Sequence, residues 1–393
     1  MILTARVTDL RAGHRAALIL SSAIACAGCG VERPAAAKLP AVEGEMPRLE
    51  LVHRGDSIVD SIADRIRKIA VGGDGQVALI FAPDATPRIR FVDSMGRLNG
   101  GAGPGGPGPG EIGFPPRTWW IGDTLIAYET GRLVEIRYSK EGKLLGERPI
   151  RHDLVPLAAG HDGVLEFNVD WAMRRTAPTL MLRTPDARNP RVLLDARHPQ
   201  LRKALDQRSG VSATYPWPIV AIRNGIIALL DPRAPVIWYF NVNGDLVDSL
   251  AVPAVSRVRG PIELTETIGA YARVARSGTI GPTGQRMPGP NLDSIRALFA
   301  SDRPPIAAIH GLNFDGRGRL WIVGSHRDST RAIVISGTRV LGELILPCYR
   351  VDRFVSVSDR WLALLCADQD GGYEPPFELQ LYRIVEPAPP ARP

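Results

Sequence analysis

The chain has 393 residues, room for one large domain or two ordinary ones. Its 45% hydrophobic and 23% charged content is that of a globular protein with a sizeable core, which excludes a disordered chain. A formal net charge of +7 raises nucleic acid as a partner, but the cations do not cluster. Lysine stands only at Lys38, Lys68, Lys140, Lys143 and Lys203, arginine is scattered among acids, and no basic run could track a phosphate backbone. Nucleic acid is therefore not an expected partner.

In chain order the N-terminus comes first. Arg6, Arg11, His14 and Arg15 precede AALILSSAIACAGCG, an apolar run too short to span a hydrocarbon core of roughly 30 Å. A basic region, a short apolar region and small residues describe an export signal. Residues 26–29, CAGC, resemble the bacterial lipobox and put lipid attachment at Cys29, with Cys26 as the alternative site. An ordinary cleaved signal is the other reading. Residues 1–29 are thus expected to be a signal peptide with a lipobox-like end, and 30–48, rich in Pro, Ala and charge, a flexible tether. Acyl chains on Cys29 would anchor the protein in a bacterial cell envelope, facing the periplasm or the exterior. Beyond this segment only Cys348 and Cys366 remain. In an exported protein they are a disulfide candidate, with buried free thiols as the alternative, and two cysteines cannot build a four-ligand zinc site alone.

The body reads as strands. QVALIF (76–81), TLIAY (124–128), IIALL (226–230), RLWIV (319–323) and WLALL (361–365) are short apolar runs bounded by turn residues. GGDG (72–75), IGD (121–123), RNG (223–225), DGRG (315–318) and VSD (357–359) mark tight turns before them. A polar loop, a further strand and a hairpin follow each run, as in PRIRFVDSMGRL (87–98) and PVIWYFNVNGDLV (235–247). Four antiparallel strands in about forty residues make one propeller blade. Six units are expected near 65–100, 117–150, 155–195, 217–252, 306–347 and 353–385. The last lacks a strand, and RLELVHRGDSIV (48–59) would supply it and close the ring. The expected fold is all-β: a six-bladed β-propeller over 49–386 with a Pro-rich tail at 387–393.

Residues 97–116, RLNGGAGPGGPGPGEIGFPP, fall between the outer strand of unit one and the inner strand of unit two. Gly101 to Gly106 fit G-x-G-x-x-G, but prolines interrupt the glycines and a strand follows rather than a helix, so a crossing loop is expected rather than a nucleotide site. With its following strand-turn-strand, this stretch resembles the blade junctions of bacterial six-bladed β-propeller lipoproteins related to NHL repeats. Gly108-Pro109-Gly110-Glu111 matches their Gly-Pro-Gly-Glu. Ile112 replaces the usual Phe, whose packing role Phe114 is expected to take. FDGRGRLWIV (314–323) resembles the Asp-x-x-Gly-x-hydrophobic-aromatic-Val of the same repeats. The resemblance implies an exported lipoprotein and carries over no catalytic residue.

Residues 256–305 interrupt the repeat between units four and five. PIELTETIGAYARVARSG, with Thr265 capping, and NLDSIRALFASD, with Asn291 capping, predict two short helices in this insertion, a lid or a rim decoration. With the units aligned on the buried second strand, the loop after each carries an acid: Asp84, Glu129, Asp170, Asp231, Asp328 and Asp368 (or Asp370). Arg88, Arg132, Arg174, Arg233 and Arg327 lie near them in sequence. Gathered on one face, these groups could bind a polar ligand or a divalent cation such as calcium; equally, the acids could satisfy backbone N–H groups of their own turns. Trp119, Trp120, Trp217, Trp238 and Trp321 are expected as packing anchors. His152, His161, His310 and His326 show no paired spacing. No G-x-S-x-G, Walker or S-x-x-K signature occurs. The functional expectation is a membrane-tethered envelope module that binds a small polar ligand or an envelope protein and needs no cofactor. The alternative is a metal-dependent hydrolase or lyase using the same acids.

Overall fold

The computed structural model describes residues 45–55, 66–81, 85–114, 116–129, 131–168, 177–187, 189–205, 218–231, 236–253, 256–258, 279–280, 286–287, 305–307, 309–326, 329–346, 355–367 and 377–387. The chain divides into two compact units, residues 1–36 and 37–393, and every described residue belongs to the second.

Strand β1 (Arg48–Arg54) comes first in the chain but belongs to the last blade. Blade one is β2 (Ile66–Val71), β3 (Val77–Phe81), β4 (Ile89–Val92) and β5 (Leu98–Ala102); blade two is β6 (Arg117–Ile121), β7 (Thr124–Glu129), β8 (Val134–Ser139) and β9 (Leu144–Pro149). Blade three is β10 (Leu154–Gly160), β11 (Gly163–Asn168), β12 (Leu180–Arg183) and β13 (Arg191–Leu194). Helix α1 (Pro199–Leu205) leads to blade four: β14 (Ile219–Arg223), β15 (Ile226–Asp231), β16 (Val236–Asn241) and β17 (Leu246–Ala251). The insertion contributes β18 (Ser256–Val258), β19 (Thr279–Ile280), β20 (Arg286–Met287) and β21 (Pro305–Ala307), paired as β18 with β21 and β19 with β20. Blade five is β22 (Ile309–Phe314), β23 (Leu320–His326), β24 (Ser329–Ser336) and β25 (Arg339–Leu346). Blade six is β26 (Val355–Val357), β27 (Trp361–Ala367) and β28 (Phe377–Val385), with β1 as its outer strand.

The ring is visible in how the first strands meet. β2 lies against β6, β6 against β10, β10 against β14, β14 against β22, β22 against β26, and β26 against β2. That is a closed cycle of six, so the fold is an all-β, six-bladed propeller. The strand expected from 48–59 closes it: β1 pairs antiparallel with β28, from Arg48 opposite Val385 to Arg54 opposite Gln380. The N-terminal strand thereby covers the edge that β28 would otherwise leave open.

The core is divided into sectors, one at each blade interface. Ile69, Val77 and Leu79 of blade one pack on Trp361, Ala363 and Leu381 of blade six, and Ala78, Ile80 and Phe91 pack on Leu125, Ala127 and Ile136 of blade two. Because each sheet is covered on both faces, second strands such as β3 and β15 are buried along their whole length and read as unbroken apolar runs. The outer strands β5, β9 and β17 are largely exposed. Between blades two and three the apolar sector shrinks to Ile126, Tyr128 and Val164. A buried polar network makes up the rest. Arg183 of β12 bonds Glu135 of β8 at 3.0 Å, Glu166 of β11 at 2.9 Å and the Tyr128 hydroxyl, while Arg148 adds 2.7 Å to Glu135.

The described helix is not where the sequence pattern put one. α1 lies between blades three and four, where Leu201 and Leu205 are buried in the sector shared with β11 and β15. The two helices expected at 261–278 and 291–302 lie outside the described residues. What is described of the insertion is β structure, and β18 with β21 ties its start to its end.

Candidate functional site

Each inner strand runs toward the turn that joins it to the second strand, so the six first turns share one end of the ring. They are short. In blade four, Asn224 and Gly225 have φ of 50° and 72°, a two-residue turn whose twist suits a hairpin. In blade one, Asp74 Oδ1 accepts the Gln76 N–H at 3.0 Å and so fixes its turn from within. The turns of blades one and six are stitched together: the Ser358 hydroxyl donates to the Gly72 carbonyl at 2.7 Å and the Trp361 indole to the Gly73 carbonyl at 3.2 Å.

These strand ends and turns enclose a cavity of ≈ 420 Å³ to which all six blades contribute. Asp74, Asp123, His161, Arg223, Asn313 and Asp359 stand around it, one from each blade in order. Asp359 pairs with Arg223 at 2.7 Å. Trp119 and Trp120 form part of the wall, and Ala70, Ala158, Ala159 and Ala221 keep it wide. Trp120 is fixed by its indole N–H on the Ala70 carbonyl at 3.2 Å, and Trp119 by edge-on packing against Tyr128 at 5.9 Å. Two lining residues carry buried polar atoms without a hydrogen-bond partner, Thr118 Oγ1 and Arg223 Nε. Such atoms are uncommon in a folded interior. The arrangement suits a small ligand with an aromatic-stacking or apolar face and several hydrogen-bonding groups.

Of the acids singled out by the repeat, the two that are described, Glu129 and Asp231, end second strands β7 and β15 and so lie at the opposite end from these turns. Arg132 is described as well; Asp84, Asp170, Arg233, Asp328 and Asp368, with Arg174, Arg327 and Asp370, lie outside the described residues. Asp231 is buried at the end of β15. Glu129 is fully buried and accepts three backbone N–H groups, from Phe114 at 3.2 Å, Gly131 at 2.9 Å and Arg132 at 2.5 Å. Arg132 binds Glu147 through both terminal nitrogens, at 3.1 and 2.9 Å, and the Glu111 carbonyl at 2.8 Å.

These side chains hold the glycine- and proline-rich junction. Arg88 donates to the Ile112 carbonyl at 3.0 Å, Tyr138 to the Gly110 carbonyl at 2.9 Å, and Glu147 accepts the Gly110 N–H at 2.6 Å. Burial pushes the Glu147 carboxyl up, but its bonds to Arg132 and Gly110 outweigh this and hold it below its ordinary value. The packing role expected of Phe114 belongs to Ile112 instead: Ile112 is fully buried against Ala102, Ile136 and Tyr138, while Phe114 is 57% exposed. Cys366 is disulfide-bonded; Cys348, its expected partner, lies outside the described residues, as does Cys29.

The sequence pattern pointed at Trp119 and Trp120 as packing anchors and gave His161 no paired spacing. All three line the cavity. The available signal was the run of tight turns before the buried strands, which marks the mouth as clearly as Glu129 and Asp231 mark the far end.

Among the described residues no three His, Cys, Asp or Glu converge as metal ligands, and no helix is long and apolar enough to cross a membrane. No family model matches the chain, and no curated protein does. Solved structures similar to it include the β-propeller domain of Cps50 (Swd1) from Myceliophteria thermophila, 10% identical over 86% of this chain and 100% of that one, with a TM-score of 0.39. A gluconolactonase from Xanthomonas campestris is 13% identical over 90% and 99%, with a TM-score of 0.43. The PQQ-bound aldose sugar dehydrogenase of Streptomyces coelicolor is 12% identical over 87% and 99%, with a TM-score of 0.38. At such distances the likenesses say nothing of this chain's chemistry, and its fold rests on its own strand order and closed inner ring.

Proposed function

We propose that this protein is a binding propeller that takes a small polar ligand into the mouth of its central channel, at the turns between first and second strands. The observation that carries this reading is the ≈ 420 Å³ cavity lined by all six blades, with Asp74, Asp123, His161, Arg223 and Asp359 around it and Trp119 and Trp120 in its wall. The lipobox-like CAGC and the junction's resemblance to NHL-related lipoproteins support a tether at Cys29 in a bacterial envelope. The hydrolase or lyase reading, and the ligand ring expected from the repeat, both drew on the acids that follow the second strands. Of the two that are described, both are buried, and Glu129 uses its two oxygens on backbone N–H groups. That leaves the binding reading ahead.

Saturation-transfer NMR with a set of monosaccharides, amino acids and small organic acids tests it. At least one class should receive saturation from the wild type and lose it in Ala159→Phe, which fills the cavity with a ring. Equal transfer to both proteins, with the variant folded, would place binding elsewhere.

A further inference from the structure

Two cations lie below this cavity with no acid beside them. Lys68 lies in the middle of β2 and Arg117 begins β6, the inner strands of blades one and two. The Lys68 ammonium sits 4.6 Å above the Trp119 ring. Trp119 packs toward blade three, against Tyr128 and Val164, and Arg117 points the same way, donating to the Pro156 carbonyl at 3.0 Å. A side chain rooted in blade one reaches that side of blade two by passing the inner edge of β6. The edge faces the channel, so the Lys68 head lies in the channel.

Neither cation has an ionic partner among the described residues. Arg117 makes that one backbone bond, and Lys68 has the Trp119 face alone. Lys68 is only half-buried by exposed area although protein surrounds it, as expected of a group on the wall of a solvated channel. Burial first, and the Arg117 charge second, pull its ammonium down to about 7, and burial lowers Arg117 as well. Two like charges held together without a counter-ion are costly, and an anion between them would relieve both the repulsion and the desolvation. Trp119 joins the two regions, since it lines the cavity on one side and carries Lys68 on the other.

We propose that Lys68 and Arg117 form an oxyanion-binding site inside the channel, which takes the carboxylate or phosphate group of a small molecule entering through the mouth. The inference rests on the mouth being the binding site and gives its ligand a charge. A neutral sugar would leave the pair unanswered; an organic acid or a phosphorylated small molecule would not. Arg117 supplies the planar fork that such groups accept, and Lys68 a point charge that becomes fully ionised on binding.

The small number of lysines makes the test direct. Protein labelled metabolically with ¹³C-lysine gives signals from Lys68 and four other lysines, and the signal missing from Lys68→Met identifies it. Its Cε shift should titrate near pH 7 without added anion. Millimolar inorganic phosphate or succinate should raise the midpoint by about one pH unit or more, a tenfold gain for the charged form. A response to phosphate alone or to succinate alone assigns the source of the oxyanion. Arg117→Gln should abolish the rise, and the wild-type titration stands without it should that variant fail to fold. A Lys68 signal that moves no more than the other lysines with either anion would overturn the inference. If neutral ligands then still saturate at the mouth and Ala159→Phe still blocks them, the site stands and the anion falls; if Lys68 responds while Ala159→Phe changes nothing, the reverse holds.

Discussion

A β-carbon at Gly75 would lie 2.7 Å from the Trp361 ring, and its φ of +89° already disfavours any other residue. Gly75→Ala should therefore cost on the order of 2 kcal/mol in urea unfolding, by pushing blades one and six apart at their shared turn. Asp315 has a different task at the corresponding turn of blade five. Fully buried, it accepts the backbone N–H groups of Arg317 and Arg319, the Arg319 guanidinium at 2.7 Å and the Trp321 indole at 2.9 Å. Arg319, itself buried, reaches on to Glu386 at 2.8 Å. Asp315→Ala would strip a buried cation of its nearest partner and should cost about 3–5 kcal/mol by the same assay. Two titrating groups give the fold opposed pH responses. Burial first and the Glu135 charge second push the Glu166 carboxyl up to about 7 from an ordinary 4.5. Between those values the folded chain keeps a proton that the unfolded chain has released, so stability should fall as pH rises from about 4.5 to about 7. Lys68 releases its proton near 7 in the fold and near 10.5 when unfolded, so stability should rise again from about 7 to about 10.5. The alkaline limb should be the larger, since the Lys68 shift is wider than the Glu166 shift. Glu166→Gln should flatten the acid limb alone and Lys68→Met the alkaline limb alone; a profile unchanged by both would refute these assignments.

Among the elements, the junction from Gly103 to Pro116 shows what the sequence could and could not disclose. Its place between β5 and β6 was legible, because glycine and proline in that mixture suit a crossing and a strand follows. Its anchors were not. Arg88, Glu129, Arg132 and Glu147 come from strands and loops up to 37 residues away in the chain, as between Glu147 and Gly110, and only blade registry brings them to one loop. The same acid-after-strand pattern could mean a ligand ring or a set of loop anchors, and backbone N–H groups decided for Glu129. Glu129→Gln should raise hydrogen exchange at Phe114, Gly131 and Arg132 by at least tenfold, equivalent to about 1.4 kcal/mol, and leave the β14–β15 hairpin unchanged. The six blades themselves were legible from unbroken apolar runs at the second strands. The polar sector between blades two and three was not, since Glu135, Glu166 and Arg183 look like surface residues until β8, β11 and β12 bury them together.

For the whole molecule, ring closure is what makes six distant turns into one mouth. β1 is held to β28 along its length and by Arg54 on Glu378, so the strand next to the expected tether also locks the ring. Loss of β1 should open the β28 edge and weaken the mouth at blade six, where Ser356 and Asp359 stand. The envelope tether has its own test: Cys29→Ala should leave a protein that fractionates as soluble or as an uncleaved precursor, and wild-type fractionation would remove the anchor. The binding claim is tested most directly by ¹⁹F NMR of 5-fluorotryptophan protein, assigned by single Trp→Phe replacements and titrated with whichever small molecule binds most tightly. Trp119 and Trp120 should shift with ligand concentration while Trp238 and Trp321, buried between blades and away from the cavity, stay still. Saturable binding that shifts other tryptophans and leaves Trp119 and Trp120 silent would contradict a site at the channel mouth.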